Sequence, residues 1–460
     1  MTTSTPRICI VGAGPAGLTC ARVLQLQGIE VAVYDADAAV DSRDPGGTLD
    51  LHADSGQIAL ADAELTDAFL AEARPEGQAK TRCDHQGTVL ARFVPAPGDT
   101  AAPEIDRGRL RRMLYDSLRP GTVRWGHELV RATPLGGGAH RLEFADGSRA
   151  ERGSGAECGS DVQHGSSVEA DLVIGADGAW SKVRPLITDA APRYLGVSYL
   201  DARFDEVDTR HPELARIVGD GHLFANDNDG RAVILQRNAG GVIRGYLSFR
   251  APRNWHLEAG VDLTDREGVR SHLVEEFAHW SPPLRGLITR NDGDYVPRSF
   301  WALPAPLDWA HVPGITLIGD AAHLMAPFGG HGTNLAMLDG AELALAVAES
   351  VAGGGTPATS GCGSSPSSDS SPGHGHGHGF GSGHGSTLDE AVARYESEMF
   401  ARSAGLAVSS NEALVRFFAT TSPDAPHLPP DHAQEHHDYL ARAAARRRER
   451  SLRTGGRTEA

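Results

Sequence analysis

Six residues near the start of the chain, Gly12-Ala13-Gly14-Pro15-Ala16-Gly17, constrain it more than any others. They follow an apolar run at residues 7–12. They open a stretch, 15–27, in which Leu18, Ala21, Arg22 and Gln25 recur at helical spacing. Gly28 closes that stretch, and a second apolar run follows at 31–35. The pattern predicts a strand–helix–strand unit. In that context Gly12 permits a tight turn, Gly14 lets a pyrophosphate approach the backbone, and Gly17 lets helix and strand pack closely. Pro15 and Ala16 begin the helix, whose free N–H groups and positive dipole end suit phosphate. Asp35 ends the second strand, where a carboxylate can accept ribose hydroxyls. A glycine turn that binds nothing is the alternative. The strand, the helix and the acid around it favour a dinucleotide.

Composition sets the outer limits. The chain has 460 residues, 40% hydrophobic and 22% charged, which is ordinary for a globular protein and long enough for two lobes. A formal net charge of −17 argues against nucleic acid and against anionic membrane surfaces. Cys9, Cys20, Cys83, Cys158 and Cys362 have no metal or redox spacing, which suits a reducing compartment. No apolar run reads as a signal peptide, and none reaches the roughly 18 residues of a membrane helix. The expected setting is the cytoplasm and the expected state a monomer.

Along the chain, residues 48–52 read as a short strand, 55–73 as helical, and 106–118 as a helix. Strands are expected at 123–129, 141–144 and 170–176, with a polar Gly/Ser-rich loop at 151–168. From 194 to 300 the pattern changes. Strand-like runs at 222–225, 232–236 and 242–249 predict a mostly antiparallel sheet that could cover a substrate cavity, with a helix at 269–280. A buried strand at 315–319 and a helix at 333–352 return to the first lobe. Residues 353–386 are low in complexity, with a His-Gly repeat from His374 to His384. They cannot bury a core and are predicted to be disordered. Metal capture by those histidines is the other possibility, but no metal site is assigned. Residues 387–460 read as C-terminal helices.

Two further segments follow predicted buried strands. One is Gly175-Ala176-Asp177-Gly178-Ala179-Trp180-Ser181-Lys182-Val183-Arg184. The other is Gly319-Asp320-Ala321-Ala322-His323-Leu324-Met325-Ala326-Pro327. They resemble the D-G and G-D motifs of the FAD-dependent aromatic hydroxylases, in that family's order. Gly329-Gly330-His331-Gly332-Thr333-Asn334 resembles the family's G-x-G-x-N turn. The 43–52 and 104–111 segments are similar to those of the tetracycline-inactivating monooxygenases of the TetX type.

The resemblance implies an α/β fold. Residues 1–193 and 301–352 would form the FAD-binding domain, and 194–300 the inserted substrate sheet. It also implies that Asp177, Gly319, Asp320, Pro327, Gly332 and Asn334 line FAD, with Gly47, Asp50 and Arg107. A guanidinium fork at Arg107 suits ribityl and phosphate oxygens. Arg43 and Arg184 would serve NADPH. Asp201 and Arg216 occupy the positions that align, Arg216 only roughly, with the family's substrate-holding residues.

The implied reaction is hydride transfer from NAD(P)H, then insertion of oxygen from O2 through a C(4a)-hydroperoxyflavin into an aromatic or polyketide-like molecule. Tetracycline inactivation, an antibiotic-resistance activity, is the narrow form. A natural-product tailoring hydroxylase shares every motif, and a non-turnover flavin-binding protein is the reading from another class. The cofactor carries the chemistry, so no catalytic side chain is assigned. The W-x-W-x-I-P signature of the halogenases is absent.

Overall fold

The computed structural model describes residues 5–44, 46–145, 164–353, 387–419 and 431–453. Four apolar runs, Ile8–Val11, Val31–Tyr34, Leu172–Gly175 and Ile315–Leu317, make most of a five-stranded parallel sheet, with Val123–Arg124 at its edge. Parallel strands buried on both faces need continuous apolar sequence, and these have it. Helix Pro15–Leu26 takes its proline at the first turn and packs against helix His331–Gly353. Leu18, Leu24, Ile10, Ile174, Met337 and Leu343 share that core.

Several expectations are corrected. The 55–73 stretch is two helices, Gly56–Asp62 and Thr66–Glu72, because Glu64 between them takes a left-handed backbone with φ 57°. The 123–129 run divides into Val123–Arg124 and Leu129–Gly136, which lie in different sheets. Residues 164–168, expected in a loop, belong to strand His164–Ala170, which pairs antiparallel with Ala139–Ala145. Backbone pairing outweighs the polar composition there. The rest of that expected loop, 151–163, lies outside the described residues, as does 354–386 of the low-complexity segment.

A seven-stranded sheet forms the second layer, in the order Val296–Ala302, Arg193–Phe204, Val242–Arg250, Arg231–Asn238, His222–Asn226, Lys80–Asp84, Val89–Phe93. Its last two strands come from well before residue 194, brought in by parallel pairing of Lys80–Asp84 with His222–Asn226. One face buries Leu200, Phe204, Leu235 and Leu247 against helices Pro212–Val218, Arg266–Glu276 and Pro282–Thr289. Each such side chain stabilises by about 1.5–3 kcal/mol when fully buried. That face is committed to packing, and only the opposite one is free for a ligand.

Helix Leu388–Phe417 starts with a capping box between Thr387 and Glu390, and helix His432–Arg453 follows. Cys9, Cys20 and Cys83 are buried free thiols. Among the described residues no helix is long and apolar enough to cross a membrane.

Candidate functional site

Gly12 adopts φ 110°, and a Cβ on it would stand 2.3 Å from the carbonyl oxygen of Ala176. Only glycine fits, and the contact sets the first turn directly against the D-G segment. A Cβ on Gly14, by contrast, would meet nothing within 4 Å, and the helix that begins there carries no side-chain cap. Among the described residues nothing fills the space beside Gly14 at this helix start, which leaves room for a pyrophosphate. Asp35 sits behind this turn, accepting from the Ala13 amide at 2.6 Å and the Asp37 amide at 2.8 Å. Sequence reasoning missed Arg111, which is buried and donates to the Ala13 carbonyl at 3.0 Å. Its place one helical turn after Arg107, facing inward, was the available signal.

The D-G and G-D motifs meet through Arg184. This residue is buried, and its guanidinium donates to the carbonyls of Ala190 at 3.1 Å, Ala321 at 3.1 Å and Ala179 at 2.7 Å. Expected beside an NADPH phosphate, it is instead a brace between two turns, with no exposed charge to offer. Asp177 accepts from the Lys182 amide at 2.7 Å, and burial raises its carboxyl above the ordinary value.

Asp320 is enclosed by protein yet keeps its surface accessible, as a residue lining a deep cleft does. That enclosure raises its carboxyl, while His323 and Arg107 pull the other way. Arg107 is exposed, and among the described residues it has no hydrogen-bonded or ion-paired partner. Its amide donates to the Gly47 carbonyl at 3.0 Å. Arg107 thus lies near enough to Asp320 to act on its charge, and among the described residues neither side chain has a hydrogen-bonded or ion-paired partner. Behind them, a buried network fixes the Gly319 turn: Asp339 accepts from the Gly319 amide at 3.1 Å, from His323 at 2.6 Å and from Arg402 at 2.7 Å.

Asn334 is fully buried. It donates to the carbonyls of Asp50 at 2.7 Å and Gly330 at 2.8 Å, and accepts from the amides of His52 at 2.8 Å and Gly56 at 3.2 Å. Its side chain thus clamps the helix start to the 50–56 segment. With its side chain spent on the protein, Asn334 has none left for a ligand, whereas Gly332 beside it is partly exposed. Burial opposes the charge on Asp50, but His52 at 3.4 Å and Lys80 at 3.8 Å hold its carboxyl well below the usual range. Burial, with His52 beside it, brings the His331 imidazole down to about 4. Pro327 is exposed between Ala326 and Phe328, which both enter an aromatic cluster.

The free face of the seven-stranded sheet covers this region. Arg203, Arg244, Gln236, His222 and Lys80 lie in one row across five strands. That row docks on the 44–50 segment and on Glu104: Arg244 holds Asp44 at 2.6 Å, and His222 meets Glu104 at 2.7 Å. The Gln236 side-chain oxygen lies against Gly47, within 3.4 Å of the Thr48 amide. Two and four residues along, the same face turns aromatic. Tyr199 lies 4.5 Å from both Tyr246 and Phe300, and Phe328, Phe417 and Phe418 join the cluster. Burial raises the Tyr199 phenol, and neither tyrosine's hydroxyl has a hydrogen-bond partner among the described residues.

Asp201 lies on this face but is held by Arg298 at 2.7 Å. Arg216 is a correction. It sits on helix Pro212–Val218, behind the sheet, beside Asp208 and Arg237 and away from the cleft. A helix packed on the covered face cannot reach the other one. Arg43 is exposed and pairs with Asp37 at 2.9 Å.

An uncapped first helix and, among the described residues, an unpaired cation near an unpaired carboxylate thus occur in the fold of a dinucleotide-binding oxidoreductase. The family is more specific: residues 5–238 and 310–359 match the FAD binding domain family, and the chain belongs to it, among the FAD-dependent aromatic hydroxylases. It is a FAD-dependent monooxygenase. It is 30% identical over 382 residues to the monooxygenase AsqM of Emericella nidulans, covering 74% of this chain and 83% of that protein. The fold is similar to that of Klebsiella pneumoniae HpxO complexed with FAD and uric acid, with a TM-score of 0.66 and 20% identity, covering 95% and 93% of the two chains. It is also similar to the tetracycline destructase Tet(55), with a TM-score of 0.61 and 19% identity, covering 96% and 97%.

Proposed function

We propose that this monooxygenase hydroxylates an aromatic or polyketide-like small molecule, with NAD(P)H and O2 as co-substrates. The observation that carries the reading is the sheet face, where Tyr199, Tyr246 and Phe300 cluster with Phe328 and Phe417. Flat apolar walls with two unpartnered phenol hydroxyls suit a ring bearing polar substituents.

The residues present fit FAD. Gly12, Gly14, Pro15, Ala16 and Gly17 would receive its pyrophosphate, and Asp35 its adenosine ribose. Arg107 and Asp320 would hold ribityl and phosphate oxygens, braced by Asp177 and Gly319. Gly47, Asp50, Pro327, Gly332 and the turn clamped by Asn334 would flank the ring. When bound, FAD supplies the redox chemistry, accepting a hydride and activating O2. The chain's own part is to bind, orient and exclude water. Asp50, kept ionised, and His331, kept neutral above about pH 4, set the charge at the cleft's end. Arg43 is the remaining NADPH contact among those expected from sequence.

Tetracycline is the narrower reading. The likeness to Tet(55) supports it, while the pairing of Asp201 with Arg298 and the position of Arg216 weigh against it. The test is to record the visible spectrum of the purified protein and follow NADPH oxidation with tetracycline and with a panel of phenolic acids and aromatic polyketides. A ligand that accelerates oxidation and gains one oxygen atom supports the reading. A yellow protein with no ligand-dependent oxidation would make it a flavin-binding protein without turnover.

A further inference from the structure

Along strand Arg193–Phe204, alternate residues face the cleft: Val197, Tyr199, Asp201, Arg203. The face therefore changes chemistry from aromatic to cationic over a few residues. The aromatic end meets Phe328 and Phe417. At the cationic end is a separate cavity of about 460 Å³, lined by Gly46 and by Arg109, Arg112, Arg203 and Arg244, with no aromatic residue in its wall. Four guanidiniums in one cavity stand out in a chain of net charge −17.

The cavity's carboxylates do not cancel them. Asp106 is held from outside by Arg74 at 2.9 Å. Asp41 pairs with Arg112 at 2.9 Å and Asp44 with Arg244 at 2.6 Å, and Arg203 lies near enough to Asp44 to help lower its carboxyl without pairing with it. Arg109 is 69% exposed, with its nearest carboxylate, Glu72, 3.9 Å away. Arg203 is 43% exposed and turns its Nε to Asp205. The cavity thus offers two guanidiniums with donors to spare, and it opens beside the Gly46–Gly47 turn and Arg107.

We propose that this cavity binds the phosphate-bearing part of a nicotinamide dinucleotide, with Arg109 and Arg203 as its principal contacts. Guanidinium forks match phosphate oxygens, whereas an apolar ring gains nothing from such walls. Two ligands then approach one turn from opposite ends of a single sheet face: the aromatic substrate from the Tyr199 end and the dinucleotide from the Arg203 end. The inference rests on the reading of NAD(P)H as co-substrate and goes beyond it by naming the site.

The test titrates the FAD-loaded protein with NADP+, which cannot reduce it, and reads binding by calorimetry. The Arg109→Gln/Arg203→Gln double variant is expected to bind about tenfold more weakly or worse, with a shallower salt dependence and unchanged FAD content. Arg216→Gln, behind the sheet, is expected to match the unaltered protein. Unchanged affinity in the double variant would overturn the proposal. So would loss of FAD from that variant alone, since the cavity would then serve FAD. If the unaltered holoprotein binds neither NADP+ nor NAD+, the co-substrate reading itself fails and the proposal falls with it.

Discussion

The side-chain oxygen of Gln236 stands 2.3 Å from the place that a Cβ on residue 47 would occupy. A residue in the middle of the sheet therefore limits what can stand in the turn beside the cleft. Gly47 has no left-handed backbone, so what opposes alanine is this contact alone, made by the end of a side chain that can move. Gly47→Ala should lower the melting temperature by pushing Gln236 aside. Gln236→Ala should relieve most of that loss, with a coupling of about 1 kcal/mol in a double-mutant cycle. If Gly47→Ala costs as much with Gln236 removed, the contact is not the reason for the glycine.

Why the sequence was readable in some places and not in others follows from the same geometry. The strands Ile8–Val11, Leu172–Gly175 and Ile315–Leu317 are continuous apolar runs because the sheet buries both faces, so local composition carries the answer. Strand Arg193–Phe204 alternates Tyr, Asp and Arg with apolar residues and is broken in register between Tyr194 and Ser198, so no apolar run marks it. The fates of Arg184 and Asn334 depend on partners 137 and 284 residues away, which no local pattern contains. Motif residues could thus be placed at the cleft from sequence. Whether each turns its side chain to the ligand or to the protein could not.

Arg107 has its charge to give. Because it forms no ion pair within the described chain, Arg107→Ala should leave thermal stability of the FAD-free protein nearly unchanged. FAD affinity, measured by titrating the FAD-free protein, should fall about ten- to a hundredfold, the range expected for losing a charged hydrogen-bond donor. Arg107→Lys should recover only part of it, since a single ammonium cannot span two oxygens. An unchanged affinity in the alanine variant would remove Arg107 from the cofactor site.

Arg184 should behave in the opposite way. Replacing it with glutamine leaves the carbonyls of Ala179, Ala190 and Ala321 without their donors inside the protein. The expected cost is about 2–4 kcal/mol of stability, read from denaturant unfolding. The KM for NADPH of whatever folds should stay near that of the unaltered enzyme. A stable variant with a raised KM for NADPH would return Arg184 to the phosphate role expected from sequence.

The last test concerns acid. Burial, reinforced by His52, depresses His331 from 6.5 to about 4. Between those values the unfolded chain binds a proton at this position that the folded chain refuses, so stability must fall as pH drops through that window. At 1.36 kcal/mol per unit the limit is about 3 kcal/mol, less in practice because the ring is partly exposed. His323 has the opposite sign. Burial lowers it, but Asp339 raises it above 6.5 overall, so its contribution is full below 6.5 and is lost as pH rises through its folded value. Asp339, held low by His323 and Arg402 against the effect of burial, loses its contribution only under stronger acid. Melting temperatures of the unaltered protein and of His331→Asn, compared from about pH 4 to 8, separate these effects. The variant should show a shallower acid-side decline, because His436, which burial also lowers from 6.5, remains, and should keep the alkaline one. Parallel curves on the acid side would mean that His331 is not held neutral at the end of the cleft.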